Sequence, residues 1–417
     1  MNAVILSVGH ELISGQTTDT NAVWLSQRLA ELGVAATMHV TVGDALEPLT
    51  REIRRAAAQA DVVLITGGLG PTADDLTRDA IAAAMDAPLE RHEPSLKQIR
   101  DFFARLGRTM TPANEVQAMI PAGAEPIENT CGTAPGIRAR LNKGLLFALP
   151  GVPREMREMF ARHAAPALKS HTGGRAILTT TLYTYGAPEA TLGEQIRDLM
   201  NRDRNPTVGT TAQQTIIGVR ILAQGDSVEH ARTLLERDAD EIRRRLGSKV
   251  FGRDDPRIEM AVAELLKQHG KTIATAESCT GGLIAKRLTD IPGSSAYFLQ
   301  GFVTYSNDAK TQMLGVPAEL IALHGAVSVA VAEALAVNCR RQAGADFAIS
   351  VTGIAGPDGG TADKPVGLVY VGLADRDGCE VKQYRLGNEL SREEIRDRTA
   401  KAALNRLRLR LIGSAGW

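Results

Sequence analysis

The chain has 417 residues, 44% of them hydrophobic and 23% charged, the balance of a soluble globular protein. That length predicts two or three domains of roughly 100–200 residues each. Lys plus Arg number 48, as do Asp plus Glu, so no global basic field exists to hold nucleic acid, and direct contact with it is not expected.

No apolar run approaches the roughly 20 residues that a membrane span needs. The apolar start, Met1 to Gly9, lacks a basic leader and runs straight into Glu11, so it reads as a buried strand and not as a signal peptide. Cys131, Cys279, Cys339 and Cys379 lie far apart with no C-x-x-C pair. Reduced thiols in a cytoplasmic protein are therefore expected, not disulfides or a zinc site. The Arg-rich patches Arg243 to Arg245 and Arg406 to Arg410 fall in helical patterns and read as solvated faces.

Residues 1–168 alternate strand and helix patterns: Ala3 to Val8, then helical Asn21 to Leu32, strand-like Val34 to Val42, helical Leu46 to Ala60, and a strand Asp61 to Thr66. Such alternation predicts a mostly parallel sheet with helices on both faces, with its site outside the carboxyl ends of the strands. Three loops fall there: 9–21, 67–75 and 150–153. In the middle loop, Gly67, Gly68 and Gly70 let backbone approach an anion, and the N–H groups ahead of the Asp75 helix would cradle phosphate. Asp74 and Asp75 have the oxygen ligands that a hard cation prefers. A tight turn with acids favouring the first helical turn explains them equally well.

Four motifs then arrive in order: V-G-H-E-L-I-S-G-Q (8–16), T-G-G-L-G-P-T-x-D-D (66–75), G-T-A-P-G (132–136) and A-L-P-G-V-P-x-E-M (148–156). Together they resemble the amino-terminal domain of the CinA family, which is similar to molybdopterin-binding proteins of the MoaB/MogA type. The resemblance implies a three-layer molybdopterin-binding-like α/β domain. It also implies a metal-dependent hydrolysis of ADP-ribose to AMP and ribose 5-phosphate. On it, Asp75 and Glu11 would hold a divalent metal, Mg²⁺ or Co²⁺. Gly67, Gly68, Gly70, Thr72, Asp74, Pro150 and Gly151 would bind the nucleotide.

Residues 172–252 read β-α-β-β-α, a small KH-like α/β connector. RNA-binding modules of that shape use a G-x-x-G loop with basic flanks. None occurs here, so an architectural or dimer-forming role is expected.

Residues 255–412 open on the amphipathic helix Arg257 to Gly270 and turn on the stretch Thr275 to Gly282. A polar residue at a strand end, then Gly-Gly and a helix, exposes a nucleophile where helix N–H groups favour an anionic intermediate. Ser and Thr are also ordinary helix caps. A serine here needs a base, for which His324 and Lys310 are both candidates. A partly buried lysine sheds its charge, and Tyr305, five residues ahead of Lys310, would position or relay the proton. Cys279 is a rival nucleophile, because a helix N-terminus lowers a thiol's pKa.

The set T-A-E-S-C-T-G-G (275–282), P-G-S-S (292–295), V-T-Y-S-N-x-A-K (303–310), H-G-A-V-S (324–328) and T-G-I-A-G-P-x-G-G (352–360) resembles the carboxy-terminal CinA domain, also found alone as the PncC amidase. The resemblance implies hydrolysis of nicotinamide mononucleotide (NMN) to nicotinate mononucleotide and ammonia without a cofactor. Ser278 would be the nucleophile, Lys310 its base, and Tyr305 the group coupling them. Gly293 and Ser295 would supply oxyanion donors, Thr352, Gly353 and Ala355 would line the nucleotide pocket, and Arg392 would clamp phosphate. Family habit and the long connector helix suggest a homodimer.

Overall fold

The computed structural model describes residues 1–201, 203–213 and 215–413. The chain divides into two compact units, one of residues 1–179, 203–207 and 222–238, the other of residues 180–202, 208–221 and 239–417.

The first unit is built on a six-stranded sheet in the order 35–42, 2–8, 62–66, 144–149, 136–141, 125–127. The first four strands run parallel and the last two return antiparallel. Val62–Thr66 and Gly144–Leu149 are buried along their whole length, as strands must be when helices cover both faces. The period of two distributes the side chains. Val4, Leu6, Val63 and Ile65 pack with Leu49, Ile53 and Ile81. Ala3, Ile5, Val62 and Leu64 pack with Leu25, Leu29 and Phe160 on the other face. This is the three-layer α/β arrangement predicted from the alternation.

The connector contributes a four-stranded sheet in the order 207–213, 216–225, 176–185, 250–253. The helix Val228–Leu246 precedes its last strand.

The second unit carries a five-stranded sheet in the order 298–303, 273–277, 347–353, 368–375, 378–385. Its first three strands are parallel and the last two antiparallel. The strand Ile273–Glu277, I-A-T-A-E, is fully buried. Ile273 faces a core with Val262, Leu266, Ile284 and Leu404 from the helices Ile258–His269, Leu283–Thr289 and Arg392–Leu411. Ala274 and Ala276 face the opposite core, with Leu314, Val331 and Leu335. Their small side chains admit the helices Asn307–Leu314 and Val329–Ala343 close to the sheet. Arg406 and Arg408 are buried rather than on a solvated face, and Arg408 Nη2 donates to Ser248 O. Among the described residues no helix is long and apolar enough to cross a membrane.

Candidate active site

Alternation along Ile273–Glu277 sets the direction of the side chains at its end. Odd positions face the Leu283–Thr289 helix and even positions face the Asn307–Leu314 helix, so Glu277 and Ser278 point to opposite sides. Glu277 is fully buried. Its two carboxylate oxygens accept hydrogen bonds from the Ile284 and Ala285 N–H groups at 3.0 and 2.8 Å. It thereby caps the first turn of Leu283–Thr289 and satisfies two otherwise orphaned donors. The turn between is closed by the Gly281 N–H donating to Ser278 O at 3.0 Å. Gly281 and Gly282 take φ of 58° and 89°, which a side chain would resist. The sequence motif contains Glu277 without giving it a role. The signal for one is a carboxylate directly before a Gly-Gly helix start.

Ser278, on the other side, meets Lys310. The Lys310 Nζ lies 3.2 Å from Ser278 Oγ. It also donates to Thr304 O at 2.9 Å, with Tyr305 O and Ser306 O each at 3.5 Å. Ser306 caps the helix that carries Lys310, accepting from the Ala309 N–H at 3.0 Å, and so fixes where the lysine starts. Lys310 is only 1% exposed and pairs with no carboxylate among the described residues. Burial holds its pKa below the ordinary lysine value. A neutral amine held against a serine hydroxyl is able to take its proton.

The rivals fare differently. Burial pushes the Cys279 thiol up to about 12, so it is protonated at neutral pH and is not an activated thiolate. His324 is exposed at the end of the helix Ala318–His324, and its carbonyl accepts from Lys364 Nζ at 2.8 Å.

Several expected placements need correction. The Tyr305 side chain is 56% exposed and its hydroxyl lies 2.6 Å from Arg392 Nη2. It does not stand between Ser278 and Lys310, which touch directly. Gly293 and Ser295 precede the strand Phe298–Val303, which is parallel to Ile273–Glu277 in the register Ile273↔Phe298, Glu277↔Val303. They therefore sit beyond the amino end of the sheet, while Ser278 sits beyond its carboxyl end, about 15 Å away at some 3.3 Å per residue. There Gly293 lies against Lys267, whose Nζ holds Pro292 O at 2.9 Å.

Thr352, Gly353 and Ala355 do lie at the Ser278 end of the sheet, but each is engaged. The Thr352 hydroxyl donates to Ala326 O at 2.8 Å, a Cβ on Gly353 would strike Leu368 O, and Ala355 is buried in the core. Arg392 spends Nη1 on Gly356 O at 2.7 Å.

In the first unit the three expected loops converge. Asn21 Nδ2 donates to Thr66 Oγ1 at 3.0 Å and Gly151 O at 2.8 Å, and Thr66 Oγ1 donates to Pro150 O at 3.1 Å. They border a cleft of about 430 Å³ lined by Gly67, Gly68, Gly70, Asp74, Pro150 and Gly151 among others. The cleft also holds the carboxylates of Glu11, Asp44, Asp75 and Glu155, and among the described residues no Lys or Arg lines it.

Asp75 turns inward. Its Oδ1 accepts from the Gly70 N–H at 2.8 Å, and its Oδ2 from the Thr72 N–H at 2.9 Å and the Thr72 hydroxyl. The carboxylate thus occupies the N–H groups expected to cradle a phosphate. Arg78, 2% exposed, closes the loop from beneath by donating to Leu69 O at 2.7 Å and Gly70 O at 2.8 Å. Neither Arg78 nor Asn21 stands out in the sequence as part of this site. Among the described residues no group of three His, Cys, Asp or Glu side chains is arranged to hold a metal ion. Asp75 is engaged by Gly70 and Thr72, while Glu11 lines the same cleft.

The fold and these sites define a three-part chain. Residues 4–170 match a probable molybdopterin binding domain, 179–252 the damage-inducible protein CinA KH domain, and 255–411 the CinA C-terminal domain. CinA-like proteins of Geobacter sulfurreducens and Geobacter metallireducens are each 44% identical over 413 residues, covering 99% of this chain and all of theirs. The chain belongs to the CinA family. A solved structure, the competence/damage inducible protein CihA from Agrobacterium tumefaciens, is 46% identical over 37% of this chain and 93% of its own, with a TM-score of 0.36.

Proposed function

We propose that the carboxy-terminal domain is an amidohydrolase acting on NMN through an acyl-enzyme, with Ser278 as nucleophile and Lys310 as its base. The observation that carries this reading is the buried Lys310 amine 3.2 Å from Ser278 Oγ, with no carboxylate among the described residues to keep it charged. Neutral Lys310 takes the Ser278 proton as Oγ attacks the carboxamide carbon. The resulting ammonium of Lys310 then protonates the departing amine, and ammonia leaves. Water attacks the ester, Lys310 again takes the proton, and Ser278 is restored with release of nicotinate mononucleotide. Arg392, 2.6 Å from the Tyr305 hydroxyl, holds the phosphate end.

Ammonia release from NMN by the whole chain in EDTA, beside Ser278→Ala and Cys279→Ala, tests this. Activity surviving EDTA and Cys279→Ala but lost in Ser278→Ala supports it. A folded wild type that releases no ammonia sinks it.

For the amino-terminal cleft two readings go to test, metal-dependent hydrolysis of ADP-ribose and binding of a nucleotide or pterin without turnover. The carboxylates that line it, with no Lys or Arg among the described lining residues, make either depend on a cation to seat a phosphate. Titration with ADP-ribose and Mg²⁺ or Co²⁺ separates the two: AMP formation refutes the binding-only reading. The balanced charge, 48 against 48, disfavours a scaffold that contacts DNA directly. A cytoplasmic homodimer completes the proposal.

A further inference from the structure

The amidase mechanism leaves one charged group at the site unused. Arg396 lies one helical turn past Arg392 on Arg392–Leu411, so the two guanidinium groups leave the same helix face. Arg396 Nε and Nη2 both donate to Thr280 O, at 3.2 and 2.8 Å, two residues after the proposed nucleophile. A Cβ on Gly281 would sit 3.6 Å from Nη2, so the guanidinium lies along the turn itself. Arg392 reaches the other rim, at Tyr305 and Gly356. Among the described residues neither arginine has a carboxylate partner. Two like charges at i and i+4 repel each other, a cost that an anion between them removes. The Nη1 of Arg396 has two N–H donors, and no protein acceptor takes them among the described residues.

We infer that Arg396 is the second guanidinium of an anion clamp and, with Arg392, selects the phosphate of a mononucleotide substrate. The inference rests on the amidase reading and deepens it. NMN carries a cationic pyridinium at one end and an anionic phosphate at the other. A pair of fixed cations repels the first and holds the second, so it sets which end of the substrate faces outward. Because Arg396 also grips Thr280 O, phosphate binding and the Ser278 turn share one side chain.

The experiment compares wild type, Arg396→Lys and Arg396→Ala on NMN and on its phosphate-free nucleoside, nicotinamide riboside, with a thermal melt of each. It is run beside calorimetric titration of nicotinate mononucleotide. Lysine keeps a charge and one donor for Thr280 O but loses the fork. The expected result is a KM for NMN raised about tenfold in Arg396→Lys and further in Arg396→Ala, the size of one charge-assisted hydrogen bond. The riboside, which lacks the phosphate, loses at least about threefold less than NMN in Arg396→Lys, its smaller loss reporting the weakened grip on Thr280 O alone.

Equal losses on both substrates, or no loss on either, overturn the inference. If the wild type releases no ammonia, the amidase reading fails and the titration still decides this one. Affinity for nicotinate mononucleotide about tenfold weaker in Arg396→Lys upholds it. Equal affinity, or none in the wild type, overturns it.

Discussion

Replacing Lys310 with Met separates catalysis from stability more cleanly than any other change at this site. Met matches the stem in length and removes a buried amine that has no carboxylate partner among the described residues. A positioned base contributes about 10²- to 10⁴-fold, so ammonia release should fall by at least that much. Stability should hardly move. The Thr304 carbonyl, which accepts from Nζ at 2.9 Å, loses its partner at a cost of about 1–3 kcal/mol. Against that, the wild type below its folded pKa carries a desolvated cation, costing about 1.4 kcal/mol for each unit by which burial lowers the pKa.

The sign comes from linkage. The folded-state pKa lies below the unfolded one, so between the two the unfolded chain binds more protons and wild-type stability rises with pH. The substitution is therefore most tolerated below the lowered folded-state pKa of Lys310 and least near the free-lysine pKa of about 10.4. Activity of the wild type rises with pH through the same lowered pKa, because the neutral amine is the base. The assay is kcat/KM for ammonia release across pH, with urea unfolding of both proteins. Residual activity within tenfold of wild type, or a loss above about 3 kcal/mol of the kind seen when a buried ion pair is broken, refutes the reasoning.

Tyr305→Phe should raise KM several-fold while leaving kcat within about threefold, since its hydroxyl meets Arg392 and not Lys310. A hundredfold fall in kcat would restore the coupling role. Glu277→Gln places an amide N–H against the Ile284 or Ala285 N–H. It should cost about 1–3 kcal/mol in denaturant unfolding, and an unchanged midpoint would show that the cap contributes nothing. Asp75→Asn disturbs the acceptors of Gly70 and Thr72. It should cost about 1–3 kcal/mol in denaturant unfolding, and ADP-ribose affinity measured with and without Mg²⁺ then reports whether Asp75 also faces a cation. A loss seen only with the metal present would return Asp75 to metal binding.

Alternation of apolar runs, a local property, was enough for the parallel α/β class of the first domain; the order β-α-β-β-α carried the connector, and the motifs that resemble the CinA family carried the last domain. By itself the sequence offered Ser278 as a nucleophile, since it comes after a strand and before Gly-Gly, with Cys279 as its rival and Lys310 and His324 both open as the base. The choice of Lys310 came from the resemblance to the carboxy-terminal CinA domain. Even the misplacement of Gly293 and Ser295 was avoidable in principle. A residue that precedes a strand parallel to Ile273–Glu277 belongs at the opposite end of the sheet from one that comes after it.

Only the tertiary structure decided where side chains point once they leave regular elements. Tyr305 and Lys310 sit five residues apart, yet the tyrosine turns out to Arg392 from a helix far along the chain while the lysine turns in. Asp75 folds back onto Gly70 and Thr72, and Arg78 supports the same loop from below. The physical reason is the same in each case. A charged or phenolic group settles wherever its donors or acceptors are left unsatisfied. Those partners are assembled by packing between distant segments, which no local pattern records.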